Sequence, residues 1–424
     1  MTTTSSDNGL GSPTSENERS VATPGIGHLL LLALIVGVFA IVWLLVYEGG
    51  NDLIWNNSFV TSNRWVIPVG VVFFSLLVGL VQKYLHAPTV IDGGIEQALK
   101  AEDVATYKNF WGALLSSLLS LWSGASVGPE GPLGFLAVQI SQWIAARLKF
   151  EKRGALVASL AGMSSAYNGI VGNPVFASLL AVEASGAKGG LAVLTPSLVA
   201  GTVGFLLFAI VGVEPFAGFL AVGSVSGITL AWIVWAIALG LIGVLLALYT
   251  RAALGVSDRV MSRFKDRVVV RTLVAGVIIG VVCYFIPELL FSGESVIQTI
   301  IANPAQYGVE MLLLMALLKP LLLTLSLKSG YLGGPIFPAL FASIMIGLAI
   351  SLLAPGVPLA ILVACPAAGV ITLLLRAPLT AILLIALMTS AGASPDMLGL
   401  ITVSAATALL AGMFMQKRMA SSTP

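Results

Sequence analysis

Charge is what this sequence has least of. Only 9% of its 424 residues are Asp, Glu, Lys or Arg, and the mean hydropathy is +1.01. A soluble domain carries about 25% charged residues, so a water-soluble globular fold is excluded in favour of a polytopic all-α membrane protein. The net charge of +2, with no basic stripe interleaved with aromatics, argues against a nucleic-acid partner. Histidine is almost absent: His28 and His86 stand far apart, so neither a His/Cys metal cluster nor a cofactor is expected. The two cysteines, Cys283 and Cys365, lie inside apolar runs, which excludes a disulfide framework. Also missing are paired acidic residues, a His/Asp or Cys/His constellation and an Asp-rich metal motif. A membrane-embedded enzyme, such as a lipid or polyprenyl transferase, would need one of them.

What is abundant is apolar sequence. Residues 1–25 have almost nothing to bury and read as a disordered tail. The run from Leu29 to Tyr47 is long enough to span. Its only upstream cation is Arg19, and no small-residue cleavage site precedes the polar loop at Glu48–Asn51. It is a membrane helix rather than a signal peptide. Further apolar segments fall near 65–85, 109–122, 132–147, 154–185, 191–211, 217–254, 269–290, 310–327, 335–353, 357–375 and 378–415. A span needs about 20 residues, so several are too short and others must contain a break. Such uneven, Gly/Pro-interrupted helices are typical of transporters with re-entrant half-helices.

Cations mark the inner face. Arg251, Arg259, Arg263, Lys265, Arg267 and Arg271 oppose only Asp258 and Asp266, which makes the 251–271 loop cytoplasmic. Lys417 and Arg418 place the C-terminus on the same side, as does the patch Arg147, Lys149, Lys152, Arg153.

The most informative stretch is Ser126-Val127-Gly128-Pro129-Glu130-Gly131-Pro132. A carboxylate at bilayer depth costs at least about 2.5 kcal/mol, and broken backbone there survives only in protein or beside a cavity. A helix restarting after Pro132 aims its free N–H groups at that cavity, which favours an anion. A second copy of the break exists. Gly128-Pro129-Glu130-Gly131-Pro132 matches Gly334-Pro335-Ile336-Phe337-Pro338 at Gly, Pro and Pro. Pro174-x-x-Ala177-x-Leu179-Leu180 likewise matches Pro378-x-x-Ala381-x-Leu383-Leu384. The distance from break to second motif is 42 residues in one half and 40 in the other. Two broken helices that share one site near the midplane require halves of opposite direction. The predicted architecture is a 26–415 membrane domain with an inverted two-fold repeat, halves about 29–211 and 217–415, and a tail over 416–424.

On these residues the chain resembles the CLC family of chloride channels and chloride/proton antiporters, over roughly 29–415. Gly128 to Pro132 resembles the family's Gly-Arg-Glu-Gly-Pro motif, and Ser329 to Pro338 its Gly-x-Phe-x-Pro region, with the phenylalanine one place late. The resemblance implies a CLC-like fold and transport of small inorganic anions, most readily chloride. Glu130 would be gate and proton acceptor, and Gly128, Gly131, Gly334, Ile336 and Phe337 the anion site. It further implies a homodimer in the bilayer, in the bacterial plasma (inner) membrane. A proton-coupled chloride or fluoride antiporter is the alternative to a channel.

Three departures follow. The family's anion-coordinating serine falls at Val90, in Thr89-Val90-Ile91-Asp92-Gly93 before Ile95-Glu96-Gln97-Ala98-Leu99. Pro129 and Pro335 remove backbone N–H groups that other members have. The antiporters' inner proton glutamate falls at Ala184, which leaves Glu183 as secondary proton site, or else a helix cap or partner of Lys188. The C-terminal tyrosine of the family has no match. Tyr331 reads as a packed aromatic or a substitute hydroxyl donor, and Lys319 and Arg376 as structural cations, snorkelling or pairing near helix ends.

Overall fold

A computed structural model describes residues 24–91, 109–184, 190–389 and 394–421. The tail over 1–23, most of the stretch around Asp92 and Ile95–Leu99, and Lys188 lie outside the described residues. Among those described there is no strand, only helices, their connections and one isolated bridge. Eight of the helices have the length and apolar composition to cross a membrane.

The first half opens with α1 (Ile26–Trp55), α2 (Ser58–Ser62) and α3 (Val66–Tyr84). The polar loop expected at Glu48–Asn51 is instead helical. The Trp55 indole donates to the Trp122 carbonyl at 2.8 Å and Trp122 donates to the Tyr47 carbonyl at 2.9 Å, so packing carries α1 through its polar turn. Then come α4 (Phe110–Trp122), α5 (Glu130–Arg147), α6 (Lys152–Ala166), α7 (Asn168–Val171), α8 (Pro174–Ala184) and α9 (Leu191–Val211). The run read as 154–185 is thus three helices. Gly172, at φ 65°, closes α7 in the left-handed region that glycine adopts without strain. Asn173 Oδ1 then starts α8 by accepting from the N–H groups of Val175 and Phe176, both at 3.0 Å.

The second half contains α10 (Leu230–Met261), α11 (Val268–Phe285), α12 (Glu294–Ala302), α13 (Pro304–Ser329) and α14 (Ile336–Leu353). It ends with α15 (Leu359–Leu375), α16 (Pro378–Met388) and α17 (Pro395–Ser421). Residues 213–229, expected to begin a helix at 217, form none. They run as a strap, with the Phe216 N–H on the Gly169 carbonyl at 2.9 Å and the Leu220 N–H on the Met388 carbonyl at 2.7 Å. The basic loop shrinks from 251–271 to 262–267, because α10 continues to Met261 and Asp258 on it pairs with Lys328 at 2.9 Å. Likewise α17 runs past 415.

The α5, α6, α14 and α15 helices are buried almost all round and form the interior, whereas α1, α9, α10 and α11 turn large apolar side chains outward. That is the lipid-facing pattern of a membrane bundle. Close crossings rest on glycine: a Cβ on Gly243 of α10 would lie 2.6 Å from the Pro366 carbonyl of α15.

Candidate functional site

The two chain breaks meet. Gly128 and Gly334 form a reciprocal antiparallel bridge, the Gly128 N–H on the Gly334 carbonyl at 2.8 Å and the Gly334 N–H on the Gly128 carbonyl at 2.7 Å. These are equivalent positions of the two repeats, and an antiparallel pair of equivalents has a local two-fold axis between them. The halves therefore run in opposite directions where they touch. One residue later, Pro129 and Pro335 sit at the N-caps of α5 and α14, with similar backbone angles (φ −73° and −92°). The missing proline N–H groups precede both helices, where no intrahelical partner exists for them.

Glu130 is the first residue of α5 and 3% exposed. Its Oε1 accepts from the Ile336 N–H at 2.7 Å, at the first turn of α14. Its Oε2, also buried, has no protein partner. The carboxylate thus lies between two helix N-termini, each equivalent to roughly half a positive charge. It also folds back over the bridge, since a Cβ on either Gly128 or Gly334 would collide with it. Gly131 completes the close approach: a Cβ there would stand 2.8 Å from Gly333 C and Gly334 N. On the other side Tyr167 Oη donates to the Glu130 carbonyl at 3.1 Å.

The segment leading into α14 is gripped from three helices. Gln82 of α3 donates to the Gly330 carbonyl, Arg271 of α11 to the Ser329 carbonyl at 3.1 Å, and the Leu332 N–H donates to Ser120 Oγ of α4 at 3.0 Å. Tyr331 Oη lies 2.6 Å from Ser75 Oγ and 3.0 Å from the Thr272 carbonyl. Its hydroxyl is held by these two partners and is not offered as an anion donor. The Phe337 ring is fully buried, edge-on to Phe216 at 4.8 Å.

Residues 74–412 match the family described as voltage gated chloride channel. The chain belongs to that CLC family. YfeO of Escherichia fergusonii, a protein named for ion transport, is 24% identical over 366 residues, 83% of either chain. YfeO of Shigella boydii serotype 4 is 26% identical over 326 residues, 74% of each. Among solved structures, a slow cyanobacterial Cl−/H+ antiporter superposes with TM-score 0.77 at 19% identity, covering 94% of this chain and 98% of that one. A CLC-type fluoride/proton antiporter superposes with TM-score 0.74, also at 19% identity, over 90% and 94%. At those identities the likeness is one of fold.

The CLC fold thus brings Gly128, Glu130, Gly131, Gly334, Ile336 and Phe337 to one junction, with divided roles. The N–H groups of Gly128 and Gly334 are spent on each other, so these two glycines shape the site rather than donate into it. Ile336 supplies the N–H, and Phe337 supplies packing. Val90, in the place of the family serine, is 59% exposed, and the rest of that motif lies outside the described residues.

Glu183 stands away from the junction. Its Oε1 accepts from the Leu379 N–H at 3.0 Å and its Oε2 from the Thr380 N–H at 2.7 Å, with Thr380 Oγ1 as a third donor. It caps α16 from α8, the structural role weighed for it. Lys319 overturns its reading as a snorkelling cation: it is 0% exposed, in mid-helix on α13. Its Nζ donates to the carbonyls of Phe291, Leu289 and Leu290 at 2.7, 3.0 and 3.3 Å. Arg376 is exposed, in the left-handed residue that ends α15. Sequence reasoning missed Tyr167, whose only signal was a lone tyrosine in an apolar run.

Proposed function

We propose that the chain carries small inorganic anions, chloride first, through the junction of the α5 and α14 N-termini, with Glu130 as the gate. The observation that carries this reading is the 2.7 Å hydrogen bond from the Ile336 N–H to Glu130 Oε1. A helix N-terminus holds a carboxylate where a free anion would be held. Backbone N–H groups and helix partial charges replace part of an anion's hydration without a full charge that would trap it. When ionised, Glu130 occupies the anion's place. Protonation or outward swing of its side chain frees the Ile336 N–H and opens the path. Membership in the voltage gated chloride channel family supports anion transport over an enzymatic role, and the relatives named for ion transport agree with it.

Proton-coupled exchange of chloride or fluoride is the second reading. Two antiporters of the same fold favour it, as does a buried carboxylate at the junction. Glu130 would take the outer proton, and Glu183 is the secondary site, though protonation there must break its cap on α16. On this reading 26–415 is one transport unit built of halves near 29–211 and 217–415. It works as a homodimer in the bacterial inner membrane, with Lys417 and Arg418 on the cytoplasmic side.

The test is the reversal potential of the purified protein in liposomes under a chloride gradient, with and without an opposing pH gradient. A potential fixed at the chloride value means a channel, and a shift with the pH gradient means coupled protons. No anion current in either case removes the function and leaves the fold. Glu130→Gln, which cannot ionise, makes flux insensitive to external pH; an unchanged pH dependence removes Glu130 as the gate.

A further inference from the structure

We propose that a groove between α1, α4 and α5 docks an anionic phospholipid of the cytoplasmic leaflet, with an acyl chain in the groove and the phosphate on the basic turn that ends α5. The groove, of about 620 Å³, is walled by Ile35 and Phe39 of α1, Phe110 and Trp111 of α4, and Ile140 and Trp143 of α5. Trp111 is 77% exposed and Trp143 43%. Tryptophans at one level on neighbouring helices mark the membrane–water interface.

The polar end of the groove is cationic. The Arg147 guanidinium stacks on the Trp143 ring at 5.3 Å, and Lys149, Lys152 and Arg153 follow within the next six residues, opposed only by Glu151. None of the four cations forms an ion pair among the described residues. His28 packs edge-on to Phe150 at 5.6 Å, so the start of α1 lies at this same end. Lys149 closes α5 at φ 56°, in a region where glycine is at ease and an L side chain is strained, while the Phe150 N–H reaches back to the Ala145 carbonyl at 2.9 Å. The chain holds a lysine where the backbone would prefer glycine.

Gln139 lines the groove two turns, roughly 12 Å along the helix, inward from Arg147, a depth that an acyl chain reaches below a phosphate held on the basic turn. Charge complementarity selects the occupant. A second copy of the chain in two-fold contact would set four cations against four, and a soluble protein does not reach groove-wall depth. Basic pockets between membrane helices on the cytoplasmic side take anionic headgroups by this chemistry. Because α5 begins at Glu130, a lipid that fixes its far end stiffens the helix that aims the gate. The binding itself does not depend on the transport reading.

The test is native mass spectrometry of the detergent-purified protein after equilibration with phosphatidylcholine alone or mixed with phosphatidylglycerol. Thermal unfolding in vesicles of the same two compositions runs beside it. Phosphatidylglycerol is expected to be retained and to raise the unfolding temperature. In R147Q/K149Q/K152Q retention falls roughly a hundredfold, a factor of about five for each cation removed. Trp143→Ala lowers retention with the charges intact. Equal retention in the triple variant, or an equal loss in the control K265Q/R267Q, overturns the proposal. So does glycerol phosphate, added to phosphatidylcholine vesicles, raising the unfolding temperature as much as the lipid. If the triple variant fails to fold, displacement of phosphatidylglycerol from the unaltered protein by excess phosphatidylcholine decides: easy exchange overturns the site.

Discussion

Lys319 carries the most consequential residue-level packing outside the junction. Its ammonium is shut away from water, holds three consecutive carbonyls at Leu289, Leu290 and Phe291, and lies 4.8 Å from the centre of the Phe341 ring on α14. Burying a charge is costly, and three carbonyl acceptors with an aromatic face offset that cost. The ammonium therefore staples the turn before α12 to the two helices that present the second break. Lys319→Met keeps the bulk and removes the donor, leaving acceptors short of partners at about 1–3 kcal/mol each. The expected outcome is a loss of about 3 kcal/mol in unfolding free energy, read from denaturant melts in detergent. A variant as stable as the parent would mean that packing, not the ammonium, holds the turn.

At the scale of elements, the repeat is symmetric in its breaks and asymmetric in its caps. The α8 helix is capped by its own Asn173, but the equivalent position before α16 is Ala377, which cannot accept. The other half supplies the missing acceptor: Glu183 of α8 takes the first free N–H groups of α16, and its own counterpart is Leu387. This carboxylate ties α8 of one half to α16 of the other. Glu183→Ala should cost about 1–2 kcal/mol, the usual price of a lost N-cap. Ala377→Asn, which restores a local cap, should return most of that stability in the double variant. The same pair bears on protons: if coupling survives in Glu183→Ala/Ala377→Asn, Glu183 is a cap and no inner proton site.

For the whole molecule, the ends of the helices sort by charge. The end of α5, the end of α3 with Lys83, and the Arg251–Arg271 region gather cations at one face, where α1 also starts. The end of α1, with Glu48 and Asp52, lies at the opposite one. On the positive-inside rule we propose that the first face is the cytoplasmic one. Lys265→Cys should react with a membrane-impermeant maleimide only in inverted vesicles, and Asp52→Cys only in intact cells. The native Cys283 and Cys365 are both fully buried and leave the assay a clean background. Labelling of position 265 from outside would reverse the orientation.

Several features were already readable in the linear chain. Low charge and long apolar runs determined a polytopic helical membrane protein. Gly and Pro around one carboxylate determined where the helices break, and two matched motifs at nearly equal spacing determined the repeat. The α9 helix fills the segment read at 191–211, and α14 and α15 nearly fill theirs. These are properties of neighbouring residues, and hydropathy and chain-breaking chemistry act locally. Only the tertiary structure decided which groups meet. It extended α1 to Trp55 and α10 to Met261, spent the Gly128 and Gly334 N–H groups on each other, buried Lys319 and turned Tyr331 toward Ser75. The hydrogen bond from the Ile336 N–H to Glu130 joins residues 206 positions apart. Which N–H meets which carboxylate across such a span is fixed by how the two halves pack, and no local pattern carries that information.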